Sequence, residues 1–276
     1  ALSARSTGES GWLLIGVTGM GALIGLSAMW IVVGEVIGVF FSWQFMAKKF
    51  KRMTNEYDSI TIPDFLVSHF RSSTNLIRII AATALSLFVV IYVSAQIDLT
   101  GKTFESFLGF NYYTGIVIGF GIVILYIFSG GFLAVAWSDF FQGSLMFVGL
   151  LLLPIIAFFS LPGDTSLFDG LHELNPALLN IWGPGGFTLL NLATVAGLVS
   201  IGIGFMGSPQ VYVRFIAVKS ETEVEKGKWV AIFYTLLTDT AAVMVGIFGR
   251  YMLTKTGQDP ETILGIAGEN VLAMLL

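Results

Sequence analysis

Cysteine is absent from the chain, which removes disulfides, thiolate metal sites and thiol redox chemistry together. Histidine is nearly absent too: His69 and His172 lie far apart and offer no spacing for a histidine metal site. Charge is scarce, at 12% of 276 residues, whereas 55% are hydrophobic and the mean hydropathy is +0.83. A soluble domain could not bury so much apolar surface, so the chain reads as an integral membrane protein whose environment is the lipid bilayer. Nothing in its composition points to nucleic acid. A signal peptide would place one short apolar run behind a basic start, whereas long apolar runs recur here to the last residue and are the structure itself. The chain lacks an initiator methionine, opens inside a predicted helix and stops at "NVLAMLL" within an apolar run, which reads as a fragment.

A bilayer core about 30 Å thick needs ~20 apolar residues per helix. Seven runs qualify, roughly residues 10–28, 29–47, 78–97, 114–131, 139–161, 187–213 and 229–252. They are too long for barrel strands and do not alternate, so the fold class is all-α. Lys48, Lys49, Lys51, Arg52, Arg71 and Arg78 follow the second run, and Arg214, Lys219, Lys226 and Lys228 separate the sixth from the seventh. With seven spans these basic residues share one side and only Lys102, Arg250 and Lys255 fall on the other. The positive-inside bias makes the first side cytoplasmic. Within the first cytoplasmic loop, Thr61 as a cap and Pro63 in the first turn predict a short interfacial helix in "TIPDFLVSHF". On the other side, residues 162–186 predict a short helix and a loop.

Gly21/Gly25, Gly34/Gly38 and Gly115/Gly119 form GxxxG patterns that let membrane helices approach closely. "GIGFMG" at 202–207 matches a dinucleotide-binding string, but it sits inside an apolar run with no βαβ unit around it, so that reading fails. Followed by Ser208 and Pro209, it predicts a place where a membrane helix breaks. The first run carries a similar cluster, "STGESG" at 6–11, and is expected to unwind there. Interrupted helices at matching places in two halves point to the binding site of a secondary transporter with inverted repeats. Five spans per repeat make residues 1–161 the first repeat and 187–276 an incomplete second one. Arg5 and Glu9 then belong either to that site or to a salt bridge at a helix end. Asp139 is either an N-terminal carboxylate favoured by the helix dipole or a group on the ion path. Glu35 and Asp239 lie deep in spans, where ionisable groups are functional candidates, though neither has an evident partner. No nucleophile and base pair, phosphate loop or metal cluster suggests an enzyme.

"SGWLLIG" (10–16), "LFVVIYVSAQ" (87–96), "GGFLAVAWSDFFQGSLM" (130–146) and "GSPQVYVRFIAVKS" (207–220) resemble, in the same order, segments of the sodium:solute symporter family. The resemblance implies a multi-pass protein of a bacterial cell membrane with the LeuT-like inverted-repeat fold. It implies Na⁺-coupled symport of a small organic solute, an amino acid such as proline. It assigns Na⁺ binding or coupling to Ser6, Glu9 and Asp139, and solute binding to Ser10, Gly11, Tyr92 and Pro209. Ile201 and Phe205 occupy substrate-binding positions where the family's proline carriers have tryptophan and tyrosine, and Gly8 stands where they have aspartate. The hydroxyls that complete the family's sodium site would lie beyond Leu276, so the fragment is not expected to transport alone. Two other readings stay open on sequence: a different solute (a sugar, sialic acid, pantothenate or a carboxylate), and a symporter-like sensory membrane domain. The oligomeric state is open.

Overall fold

The computed structural model describes residues 1–160 and 167–255. Among them no strand forms, and the helices are α1 (Leu2–Gly11), α2 (Thr18–Ile24), α3 (Met29–Phe41), α4 (Lys48–Glu56), α5 (Ile62–His69), α6 (Leu76–Leu108), α7 (Tyr112–Phe159), α8 (Leu167–Leu174), α9 (Leu189–Phe205), α10 (Pro209–Ala217) and α11 (Glu221–Lys255). Five stretches are long and apolar enough to cross a membrane: Trp12–Glu56, Leu76–Leu108, Tyr112–Phe159, Leu189–Ala217 and Glu221–Thr254. Two of them double back at a glycine. Gly25 (φ 60°) ends the first span, and Gly131 (φ 56°, ψ −144°) divides α7 into the fourth and fifth spans. Both sit in the left-handed region that side chains resist, and a Cβ at Gly25 would lie 2.2 Å from the Leu178 carbonyl oxygen. Divided at these two glycines, the five stretches give seven segments among the described residues, in keeping with the seven predicted spans.

Two local expectations are corrected. The first span does not unwind at 6–11: α1 is regular, and the irregularity comes one turn later, as π-helical backbone over Trp12–Val17. Arg5 and Glu9, one turn apart on α1, form a buried ion pair that holds this turn helical. The fifth span begins just after Gly131 rather than at 139, so Asp139 lies two turns inside the helix and is not an N-terminal carboxylate. The sixth span breaks where predicted: α9 ends at Phe205, and α10 restarts with Pro209 in its first turn.

The basic loops meet on one face, as the charge pattern requires. Lys51 Nζ donates to the Ile216 carbonyl at 2.6 Å, Arg52 makes a two-pronged pair with Glu221 (2.9 and 2.8 Å), and Lys228 donates to Gln44 Oε1 at 2.7 Å. The expected interfacial helix is α5, with Thr61 Oγ1 accepting from the Asp64 N–H at 3.2 Å. At the opposite face Ser27 and Trp30 donate to the carbonyls of Asn180 and Ile181, each at 2.9 Å. There Arg250 donates to the Ala22 and Leu23 carbonyls at 2.7 and 3.1 Å, a cation on the C-terminal end of α2, where the helix dipole favours it. The outer segment holds α8 and a 3₁₀ turn at Pro176–Leu179, while 161–166 lie outside the described residues.

Glycine sets the helix spacing. α9 lies against α3 so closely that a Cβ at Gly202 would be 1.8 Å from the Gly34 carbonyl oxygen, and one at Gly38 would be 2.1 Å from that of Gly202. Gly21 and Gly246 do the same between α2 and α11. Backbones in contact gain dispersion and tight packing where lipid offers no hydrophobic drive. The outer faces of α6 and α7 carry exposed Phe88, Leu87, Phe128 and Leu145, the surface a helix shows to lipid.

Candidate transport site

Helix α1 has two working faces because successive residues turn about 100°. Ser3, Ser6 and Thr7 face the fifth span and α10. Ser3 Oγ donates to Asp139 Oδ2 at 2.7 Å, and Ser6 Oγ donates to the Asp139 backbone carbonyl at 3.0 Å. Arg214 of α10 closes the set: its guanidinium donates to Ser3 Oγ at 2.9 Å, to Thr7 Oγ1 and to Asp139 Oδ2. One cation thus ties three segments together on the side that holds the basic loops. A helix break at 206–208 is what lets α10 turn Arg214 back toward α1.

Above this cluster, toward the middle of the bundle, lies a cavity of about 500 Å³. Ser6, Thr7, Gly11, Tyr92, Gln96 and Asp139 line it together with Arg214. Tyr92 Oη donates to the Thr7 carbonyl at 3.2 Å, and the Gly11 N–H donates to Gln96 Oε1 at 3.4 Å. Gly11 must be small, since a Cβ there would meet Leu99 Cδ2 at 1.7 Å. A second cavity, of about 540 Å³, shares Tyr92 and is lined by Gly207, Ser208, Pro209 and Gln210 of the broken sixth span. Tyr92 therefore lines both volumes. The Ser10 side chain lies outside the described residues.

The other face of α1 points into the core. Arg5, Glu9, Glu35 of α3 and Asp239 of α11 are all at most 2% exposed. Arg5 pairs with Glu9 and lies 3.6 Å from Glu35 Oε2, Trp12 Nε1 donates to Glu35 Oε1 at 3.0 Å, and Thr238 Oγ1 donates to Glu9 Oε2 at 3.2 Å. Arg5 also sits 5.5 Å over the Phe205 ring. Glu9 is thus a core residue away from both cavities, and its carbonyl accepts from the Trp12 N–H within the helix. Ile201 packs against the apolar core. Phe205 fills the space beside Gly8, where a Cβ would come within 2.7 Å of its ring. The aromatic at 205 and the glycine at 8 are one steric arrangement.

The family resemblance assigned Asp139 to Na⁺ and Gly11, Tyr92 and Pro209 to the solute, and the sequence marked Glu35 and Asp239 as deep candidates without evident partners. Sequence reasoning missed Arg214, counted only as a loop charge, and the polar partners Ser3, Thr7, Gln96 and Thr238, whose residue types are ordinary in membrane helices. The π-helical turn at Trp12–Val17 left no mark in composition.

The sodium:solute symporter family model matches residues 1–274. The chain is 36% identical over 267 residues to the high-affinity proline transporter PutP of Bacillus subtilis, covering 95% of this chain and 55% of that protein. It is 34% identical to the osmoregulated proline transporter OpuE of the same organism (95% and 53% covered) and 33% identical to a sodium/proline symporter of Staphylococcus aureus (95% and 51%). The chain spans about half the length of these curated relatives. Transport, rather than enzyme chemistry, is the family's business, and its members work in membranes. With a seven-span helical fold, a broken sixth span and a family match over nearly its whole length, the chain belongs to the sodium:solute symporter family.

Proposed function

We propose that this chain carries the solute site and part of the ion path of a Na⁺-coupled symporter for a small organic solute, proline being the one its relatives' names point to. The observation that carries the reading is the pair of cavities that share Tyr92 as a lining residue, one lined by Asp139 and the other by the broken sixth span. Their volumes fall in the range of about 300–1,000 Å³ usual for small-molecule sites. Ser6 and Asp139 supply the oxygen donors that a hard cation requires, with Asp139 as the anionic one. Arg214 holds Asp139 when no cation does, so Na⁺ entry competes with the guanidinium. Loosening that contact frees α10 from α1 and opens the basic side. An inward potential adds roughly 2.3 kcal/mol per charge per 100 mV to the driving force.

In this account residues 1–161 form the first repeat and 187–276 part of the second, and the π-helical turn of the first span answers the break of the sixth. Residues 256–276 lie outside the described ones. The test is equilibrium binding of labelled proline to the purified full-length protein, in Na⁺ and in choline. Binding should tighten in Na⁺, and Asp139→Asn should abolish the difference while leaving weak binding. Binding that ignores Na⁺ would contradict the ion role, and Na⁺-stimulated binding of another solute in place of proline would contradict the substrate.

A further inference from the structure

Three carboxylates, Glu9, Glu35 and Asp239, offer oxygens that all lie within 4.8 Å of one another, and the one guanidinium among them is Arg5. The cluster joins α1, α3 and α11 at the centre of the packed core, with each side chain at most 2% exposed. Arg5 donates to Glu9 and Trp12 to Glu35 Oε1, while the single Thr238 hydroxyl hydrogen is shared among the Tyr234 carbonyl at 2.7 Å, Glu9 Oε2 at 3.2 Å and Asp239 Oδ1 at 3.3 Å. Two oxygens are left over. Glu35 Oε2 and Asp239 Oδ2 are fully buried and accept no hydrogen bond, although both belong to the cluster. If all four groups were charged, three carboxylates would face one guanidinium inside a medium that disfavours uncompensated charge, and one bound proton would halve the excess.

We propose that Glu35 and Asp239 form a proton-binding pair: one proton, taken up from solvent water, sits on one carboxylate, and its O–H donates to the free oxygen of the other. Several observations favour a proton over a metal cation. The two orphan oxygens have essentially no surface that a water-sized sphere can touch, so no hydrated ion reaches them. Arg5 already occupies the cationic position between Glu9 and Glu35, and a second cation would sit beside it. Asp239 and Glu35 offer carboxylate oxygens within 4.8 Å of one another. The charged groups that face the pair are Arg5 and Glu9 from α1, and the remaining titratable neighbour is Tyr234, one turn away on α11. Arg5 donates to Glu9 and stands 3.6 Å from Glu35 Oε2, and its own Nε–H is buried without an acceptor, so its donors hydrogen-bond neither orphan oxygen. The proton completes the network by turning an acceptor into a donor.

This inference goes beyond the transport reading and does not depend on it. The test is infrared spectroscopy of the full-length protein in lipid, without solute and in Na⁺-free buffer at neutral pH. A protonated carboxyl group has a carbonyl stretch separate from the carboxylate bands and shifts in D₂O. The wild type should show such a band, and both Glu35→Gln and Asp239→Asn should remove or shift it. The wild type alone already decides if a variant fails to fold: no protonated-carboxyl band at neutral pH overturns the proposal. So does a band that neither substitution changes, and so does one that vanishes when Na⁺ is added at constant pH, which would make a metal cation the ligand. Failure of proline uptake with the band present would count against the proposed function alone.

Discussion

Arg214 carries the heaviest single role among the residues described. Its partner Asp139 is 16% exposed at the side chain and Arg214 itself 11%, so the pair is largely shielded from water. Removing one member of such a pair costs about 3–5 kcal/mol when the other stays buried and charged. Arg214→Gln should therefore leave Asp139 held by Ser3 alone and bias the protein toward an open basic side. A cysteine placed at Ser6 should then react several times faster with a thiol reagent added from that side, and an unchanged rate would remove Arg214 from the latch. Gly8 offers a second residue-scale test. Gly8→Asp restores the aspartate of the proline carriers but drives its Cβ into the Phe205 ring, so it should lower thermal stability. Adding Phe205→Ala should recover part of the loss, a coupling of about 0.5–3 kcal/mol between touching sites. Strict additivity would mean that the two positions do not share space. The sequence made Gly8 and Phe205 visible as two separate departures from the proline carriers. That they form one contact follows only from the approach of α9 to α1, which no local pattern encodes.

Among elements, the junction of α3 with α9 sets the bundle. Gly202 and Gly197 are both interior to α9, yet the first meets the Gly34 backbone and the second faces open space. Gly202→Ala should force the helices apart and destabilise by about 1–3 kcal/mol, the usual cost of overpacking. Gly197→Ala should be neutral or stabilising by up to ~1 kcal/mol, because alanine is the better helix former. Thermal unfolding of the two variants in one detergent separates them, and equal shifts would contradict the close approach. The helices themselves were legible from apolar runs, and the sixth-span break from Gly, Ser and Pro together. The expected unwinding of the first span was not, because "STGESG" has the same small residues but its first turn is spanned by the Arg5–Glu9 ion pair at i and i+4. Local composition signals the freedom to unwind, whereas tertiary burial of Arg5 and Glu9 decides against it.

For the whole molecule, the alternation of basic loops fixed which ends share a face, and the contacts of Arg52 with Glu221 and Lys51 with Ile216 join those loops directly. Cysteines at exposed Lys226 and Glu105 should be labelled by an impermeant reagent from opposite sides of a sealed vesicle, and labelling from the same side would break the seven-span topology. The buried charge cluster and the Asp139 cavity then stand on opposite faces of one helix, so that α1 is at once part of the packed core and a wall of that cavity. The central claim is that this arrangement couples a sodium ion to a small solute through Asp139. Its most direct test is uptake of labelled proline by the full-length protein in proteoliposomes, driven by an inward Na⁺ gradient and controlled by an equal K⁺ gradient. The account predicts accumulation with Na⁺ only, and its loss in Asp139→Asn with solute binding retained; accumulation that is indifferent to Na⁺, or undiminished without the Asp139 carboxylate, would contradict it.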